Sequence, residues 1–195
     1  MAGDAGRPLR ADAQRNRDNI LTTAVRVFAE EGLNAHIERI AREAGVGTAT
    51  LYRNFPTREV LIEAAYRNEV SRLCDAAPEL LATMPPHDAL RAWMGRFIDF
   101  STAKLGMADA LRALIESGAN PYAQSQDMLL AALSSLKQAG VDAGTIRSDV
   151  SEADMLASLT GIALTSSKPE LRAQAERLLD FVLDGLSTGG VRGAR

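Results

Sequence analysis

The stretch that most constrains this chain runs from Ile37 to Phe55, where an apolar stripe of helical spacing is broken at Gly45 and then resumes. Ile37, Ile40, Ala41 and Ala44 share one face, and Val46, Leu51 and Phe55 continue it on the far side of the glycine. Glycine permits the sharp turn that a continuing helix would forbid. The second segment is too polar to be buried whole, because Thr48, Ala49, Thr50, Tyr52, Arg53 and Asn54 are left facing outward. Two short helices at an angle, with the second exposing a polar front, make the layout of a helix-turn-helix, whose second helix enters the DNA major groove.

The flanking chain reads as helix throughout. Ile20, Leu21, Ala24, Val25 and Phe28 predict a helix from about Gln14 to Glu31, stopped by Gly32. Phe55-Pro56 ends the second short helix, since the residue before proline resists the helical region. Thr57 then has the character of an N-cap for a helix running toward Cys74. Beyond Pro85-Pro86, helices are predicted over about 87–104, 107–117 and 122–139. A loop, part of it extended, covers 141–150, and helices over about 151–166 and 169–186 follow. With 46% hydrophobic residues and only 5% aromatics in 195 residues, the fold class is all-α: about nine helices around an aliphatic core. The expected division is a disordered arm over 1–12, a helix-turn-helix DNA-binding domain over 13–60, a regulatory and dimerisation body over 61–188 and a disordered tail over 189–195.

The segment from Ile20 through Glu63 resembles the DNA-binding domain of the TetR/AcrR family of bacterial repressors. The residues that carry the resemblance are Phe28-Ala29-Glu30-Glu31-Gly32, Ile37-Glu38-Arg39-Ile40-Ala41, Ala44-Gly45-Val46, Thr50-Leu51-Tyr52 with Phe55, and Thr57-Arg58-Glu59-Val60-Leu61. It implies base contacts at Thr48 and Ala49, a phosphate contact from the Tyr52 hydroxyl and a backbone cation at Arg58. Thr50 and Asn54 belong to the same front, and Arg53 is long enough for either a phosphate or a guanine edge. The chain departs from the family at three of these positions. Gly47 stands where a capping Ser is frequent, His36 where Thr is frequent, and Asn54 where His is frequent. The arginines at 7, 10, 15 and 17 suit either an arm on DNA or a merely solubilising charge.

No sharp motif occurs after residue 68, and pattern must serve instead. Trp93, Phe97 and Phe100 recur at helical spacing; with Leu111, Leu114, Ile115, Tyr122, Met128 and Leu129 they could line an apolar ligand pocket or simply fill a core. Asp99, Arg112 and Glu116 lie nearby in sequence as polar partners or as a solvated face. Met155, Leu159, Ile162 and Ala163 on one predicted helix face Leu171, Ala175, Leu178, Leu179 and Val182 on the next. Such a pair suits a two-fold four-helix bundle between subunits, or internal packing.

Charge and cysteine content exclude some functions. A net charge of −3 argues against a protein that coats DNA nonspecifically, although residues up to Arg67 hold ten Arg against nine acids. One cysteine, Cys74, excludes an internal disulfide framework and fits a reducing cytoplasm. No apolar run reaches membrane-spanning length. His36, His87 and Cys74 have no catalytic or metal-ligand spacing, so no catalytic residue, metal or cofactor is expected. The resemblance thus implies a homodimer on a pseudo-palindromic duplex, most simply a repressor released by a small apolar or amphipathic effector. The alternatives are an activator, or a constitutive or protein-controlled binder.

Overall fold

The computed structural model of the chain describes residues 6–166 and 168–189, and these form nine α-helices with no strand among the described residues. In order they are α1 (Gly6–Glu31), α2 (Ile37–Glu43), α3 (Thr48–Asn54), α4 (Arg58–Thr83), α5 (Pro86–Gly106), α6 (Ala108–Glu116), α7 (Ser125–Asp142), α8 (Glu152–Thr165) and α9 (Arg172–Leu186). Single 3-10 turns precede α2 at Gly32–Asn34 and α9 at Pro169–Leu171.

Several boundaries differ from the periodicity. α1 begins at Gly6, eight residues before the predicted start at Gln14, so the expected arm is helical from there; residues 1–5, and the tail from 190, lie outside the described residues. Ala, Arg and Leu favour helix by propensity alone, and Pro8 falls in the first turn, where the missing N–H is no loss. α4 continues past Cys74 and through Pro78. An interior proline costs about 3 kcal/mol, and burial of Ala76, Ala77 and Leu80 around it offsets that cost. α7 starts at Ser125 because residues 121–124 form a turn in which Gln124 adopts φ 66°.

The chain separates into two compact units. The first holds the described chain through Asn68 together with Ala103–Pro121. Its core is built from Ile20, Ala24, Val27 and Phe28 of α1, Ile40 and Ala41 of α2, Leu51 and Phe55 around α3, and Leu61 and Ala65 of α4. α6 packs on the turn Gly32–Asn34 and buries Leu111 and Leu114, so a helix expected in the C-terminal body belongs here by packing. The approach of the chain to α1 is close at Gly106: a Cβ there would sit 2.6 Å from Ala29 Cβ and 3.1 Å from Ala29 Cα.

The second unit holds Glu69–Thr102 and the described chain from Tyr122. Trp93 is fully buried, and its indole N–H donates to the Leu73 carbonyl at 2.9 Å, which joins α5 to α4. Phe97 lies with its ring centroid 5.9 Å from that of Trp93. α8 packs on both α7 and α9. Arg91 of α5 reaches Glu176 and Asp180 of α9 at 2.7 and 2.6 Å. The loop after α7 contains the extended piece expected there: Ile146 and Ser187 form an isolated antiparallel bridge. Arg147 N donates to Leu186 O at 2.8 Å, and Thr188 N to Thr145 O at 3.1 Å. These bonds fasten the end of α9 to the α7–α8 connection.

Backbone at Ala29 cannot yield to a methyl group placed on Gly106. Gly106→Ala is expected to lower stability by about 1–3 kcal/mol, read as a drop in the thermal midpoint, with the helical signal of the folded state unchanged.

Candidate nucleic-acid interface

The turn between α2 and α3 is assembled from backbone alone. Ala44 N donates to Ile40 O at 2.9 Å and closes α2, Gly45 adopts φ 71°, and Val46 N returns to Ala41 O at 3.0 Å. A positive φ of this kind is where glycine carries no Cβ penalty. Gly47 then caps α3 with extended backbone and no side-chain bond; its carbonyl accepts from Thr50 N at 2.9 Å and Leu51 N at 3.1 Å. His36 caps α2 in the same fashion, extended and without a side-chain bond. Thr57 opens α4 by accepting from Val60 N at 3.3 Å.

Leu51 and Phe55 anchor α3, each 1% exposed, and the opposite face is open. Ala49, Tyr52, Arg53 and Asn54 are exposed, Tyr52 at 43%, while Thr48 and Thr50 are half-buried. The structure therefore brings Gly47 through Asn54 together on one short element, with His36 at the start of the neighbouring helix. Two bonds organise this front. Arg53 Nη2 donates to Thr50 Oγ1 at 2.9 Å, and Asn54 Nδ2 donates to Thr50 O at 2.8 Å. Asn54 is thus folded back onto its own helix.

Arg58 also has partners inside the unit. Its guanidinium donates to the Gly32 carbonyl at 3.1 Å and to the Ala35 carbonyl, and it lies 5.1 Å from the centroid of the Phe28 ring. Those donors point into the unit, so Arg58 joins the start of α4 to the junction of α1 and α2. Arg17 is similarly placed, 4.7 Å above the Phe55 ring. Arg15 pairs with Asp12 within α1, and the side chains of Arg7 and Arg10 lie outside the described residues.

Arg39 is a feature the sequence reading passed over. It bonds to Glu43 at 2.7 Å and to Glu30 and Glu31, while Arg26 bonds to Glu30 at 3.1 Å and to Glu43. The hydrogen bonds from Arg26 and then Arg39 hold the Glu43 carboxyl down at about 2. The hydrogen bonds that Arg39 donates to Glu43, Glu30 and Glu31 raise its guanidinium above its ordinary value. Single exposed pairs contribute little, but a five-member network linking α1 to α2 fixes the angle at which the motif is held. The signal was legible as acids and arginines at 26, 30, 31, 39 and 43, although their convergence depends on the turn between the helices.

The expected ligand-lining residues are divided between the two units. Trp93, Phe97 and Phe100 are buried in the second unit, and Leu129 is buried on α7. Leu111, Leu114 and Ile115 belong to the first unit, Ile115 being exposed, and Tyr122 and Met128 are exposed as well. A cleft of about 600 Å³ does open along α4 and α5, lined by Glu69, Arg72, Leu73, Asp75, Glu79, Arg96, Asp99 and Phe100. Only Phe100 of the expected set reaches it. Apolar spacing marks what is buried, and this cleft is walled mainly by charged side chains that such spacing leaves out.

A similar shift applies to the expected subunit contacts. Met155, Leu159, Ile162, Ala163, Ala175 and Leu179 are buried within the chain, and Leu171, Leu178 and Val182 are half-buried. The outward faces of α8 and α9 present Ala157, Gly161 and Leu164 on one helix and Phe181 and Gly185 on the other, with Leu164 62% and Phe181 76% exposed. The apolar stripes named the inner faces of these helices; the small Ala157 and Gly161 between them are legible as sites of close helix approach, whereas Leu164 and Phe181 are not marked by the stripes.

Comparison with known proteins matches each part of the chain. The model of bacterial regulatory proteins of the tetR family matches residues 20–65, and that of the C-terminal domain of SbtR-like transcriptional regulators matches residues 85–188. Over 54 residues the chain is 44% identical to an HTH-type transcriptional regulator of Staphylococcus aureus strain USA300, an alignment covering 27% of this chain and 29% of that protein. The crystal structure of a TetR transcriptional regulator from Streptomyces coelicolor is 68% identical, with a TM-score of 0.86 over 88% of this chain and 98% of that one. A TetR transcription regulatory protein from Mycobacterium vanbaalenii is 36% identical, with a TM-score of 0.76 over 93% and 100% of the two chains.

Replacement of Arg58 by Ala removes two charged hydrogen bonds and a ring contact from the frame. It is expected to destabilise the protein by about 2–4 kcal/mol, seen as a lowered thermal midpoint. At temperatures where the variant stays folded, the salt dependence of DNA binding is expected to match that of the parent.

Proposed function

Because the chain belongs to the TetR family and is a DNA-binding transcriptional regulator, we propose that it is a homodimeric repressor released from its operator by a small molecule. The observation that carries the reading is the exposed polar front of α3, held on the buried pair Leu51 and Phe55. Residues 13–60 serve as the DNA-binding domain and 61–188 as the regulatory and dimerisation domain. Thr48 and Ala49 are short enough for the helix to approach base edges, and the exposed Tyr52 hydroxyl supplies a phosphate contact. His36 offers a second phosphate donor at the start of α2. Among the described residues no helix is long and apolar enough to cross a membrane, in keeping with action in the cytoplasm.

The effector site we propose is the cleft of about 600 Å³ along α4 and α5, where Leu73 and Phe100 are the apolar members among charged walls. That lining suits an amphipathic molecule better than a purely apolar one. A ligand with different affinity for two conformations of the dimer shifts the population between them and thereby weakens operator binding. Dimerisation is assigned to the outward faces of α8 and α9, since a phenylalanine three-quarters exposed beside small residues offers a close-packing surface.

Footprinting on the DNA flanking the gene is expected to protect a near-palindrome with half-sites about one helical turn, roughly 34–36 Å, or a multiple of it apart. Protection should be lost on adding a host small-molecule extract; protection indifferent to every extract tried favours a constitutive or partner-controlled binder. Tyr52→Phe should weaken binding to all sequences alike, and changes at Thr48 or Ala49 should alter which sequence is preferred. Phe181→Glu is expected to give a folded monomer by sedimentation that no longer protects the palindrome. A dimer unaffected by the change would exclude this face.

A further inference from the structure

We infer that Thr50 and Arg53 act as one base-reading unit, in which the threonine hydroxyl holds the arginine fork ready for a guanine edge in each half-site. The inference rests on the reading of α3 as the recognition helix and adds to it a named base and a positioning residue.

Arg53 is the sole cation in Thr48–Asn54. Most of the other described arginines of the same unit are used internally; Arg42, exposed at the end of α2, lies outside Thr48–Asn54. Arg26 and Arg39 are held by glutamates, Arg15 by Asp12 and Arg67 by Glu63, while Arg17 and Arg58 lie over phenylalanine rings. No carboxylate or ring is recorded against Arg53. Its one recorded bond is the 2.9 Å donation from Nη2 to Thr50 Oγ1. That bond uses one of five guanidinium N–H groups and leaves the rest of the fork to an outside partner.

The direction of the tether decides between the two partners open to an arginine on this helix. A bond from i+3 back to i draws the guanidinium toward the amino-terminal end of α3, where a recognition helix meets base edges. A phosphate contact gains nothing from that restraint, because an arginine reaches phosphates from many rotamers. Bidentate donation to guanine O6 and N7 does gain, since both bonds require the planar fork to arrive edge-on, and a side chain already fixed loses less freedom on binding. Thr50 is suited to the holding role because it is half-buried, and its carbonyl is bonded in turn by Asn54 Nδ2 at 2.8 Å.

The test is selection from a randomised duplex pool with the full chain and its Arg53→Ala, Arg53→Lys and Thr50→Val variants. Affinities are then measured over a salt series on the best site and on that site with each guanine replaced. The parent is expected to select a palindrome with one invariant guanine per half-site, whose replacement costs about 5- to 150-fold. Arg53→Ala should lose that discrimination and keep the other preferences. Arg53→Lys, with a point charge and no fork, should retain the salt dependence while losing most of the discrimination. Thr50→Val keeps the side chain's shape without its acceptor, and should reduce the guanine preference with the salt slope unchanged. Uniform weakening by Arg53→Ala on all sequences, with the slope reduced by about one per half-site, would make Arg53 a phosphate contact and overturn the inference. Guanine preference in Thr50→Val equal to that of the parent would overturn the positioning role. A parent that selects a palindrome lacking such a guanine defeats this inference alone, whereas one that selects no sequence defeats the regulator reading as well.

Discussion

Two helices of seven residues each are too short to be stable in isolation, so the geometry of α2 and α3 is imposed by what they pack against. Everything the DNA-binding front presents depends on that constraint. Ile40 and Ala41 of α2 and Leu51 and Phe55 around α3 are buried, and α2 packs on both the long α1 and α3. Polar links then fix the angles: Arg39 and Arg26 with three glutamates between α1 and α2, and Arg58 between the start of α4 and the carbonyls of Gly32 and Ala35. Apolar burial supplies the bulk of the hold and is indifferent to direction. The guanidinium bonds are directional, and they convert a compact cluster into a frame with one orientation of the recognition helix.

The helix-turn-helix was readable in the sequence because its signals are local. A glycine needing positive φ, apolar residues at helical spacing and a proline after Phe55 each act within a few residues, and the structure has all three where they were expected. The exposed front of α3 was legible for the same reason, as the complement of a buried stripe. Arg58 was not. Its position along the chain suits a backbone cation, yet its partners Phe28, Gly32 and Ala35 lie 23 to 30 residues earlier. No periodicity reports a bond of that range.

The C-terminal part shows the same limit in another form. The stripes of α5, α8 and α9 correctly marked Trp93, Phe97, Met155, Leu159, Ala175 and Leu179 as burying positions. Spacing does not say what buries them, and the partner turned out to be the rest of the chain. What remains outside, Leu164 and Phe181, falls between the stripes and reads in sequence as noise on an amphipathic helix. The cleft along α4 and α5 escaped for the converse reason, since its walls are charged and its apolar floor is only Leu73 and Phe100.

The residues that hold the DNA-binding head together and the residues it turns outward are different residues. Leu51, Phe55, Arg39 and Arg58 face inward or bridge helices, and Ala49, Tyr52 and Arg53 protrude with no long-range bond recorded. Surface changes away from such ties usually cost little stability. A lineage carrying this head could therefore drift from one operator to another through single exchanges on α3, without a compensating change elsewhere. Evolvability of the regulatory target is, in that sense, a by-product of confining the frame to the far side of a seven-residue helix.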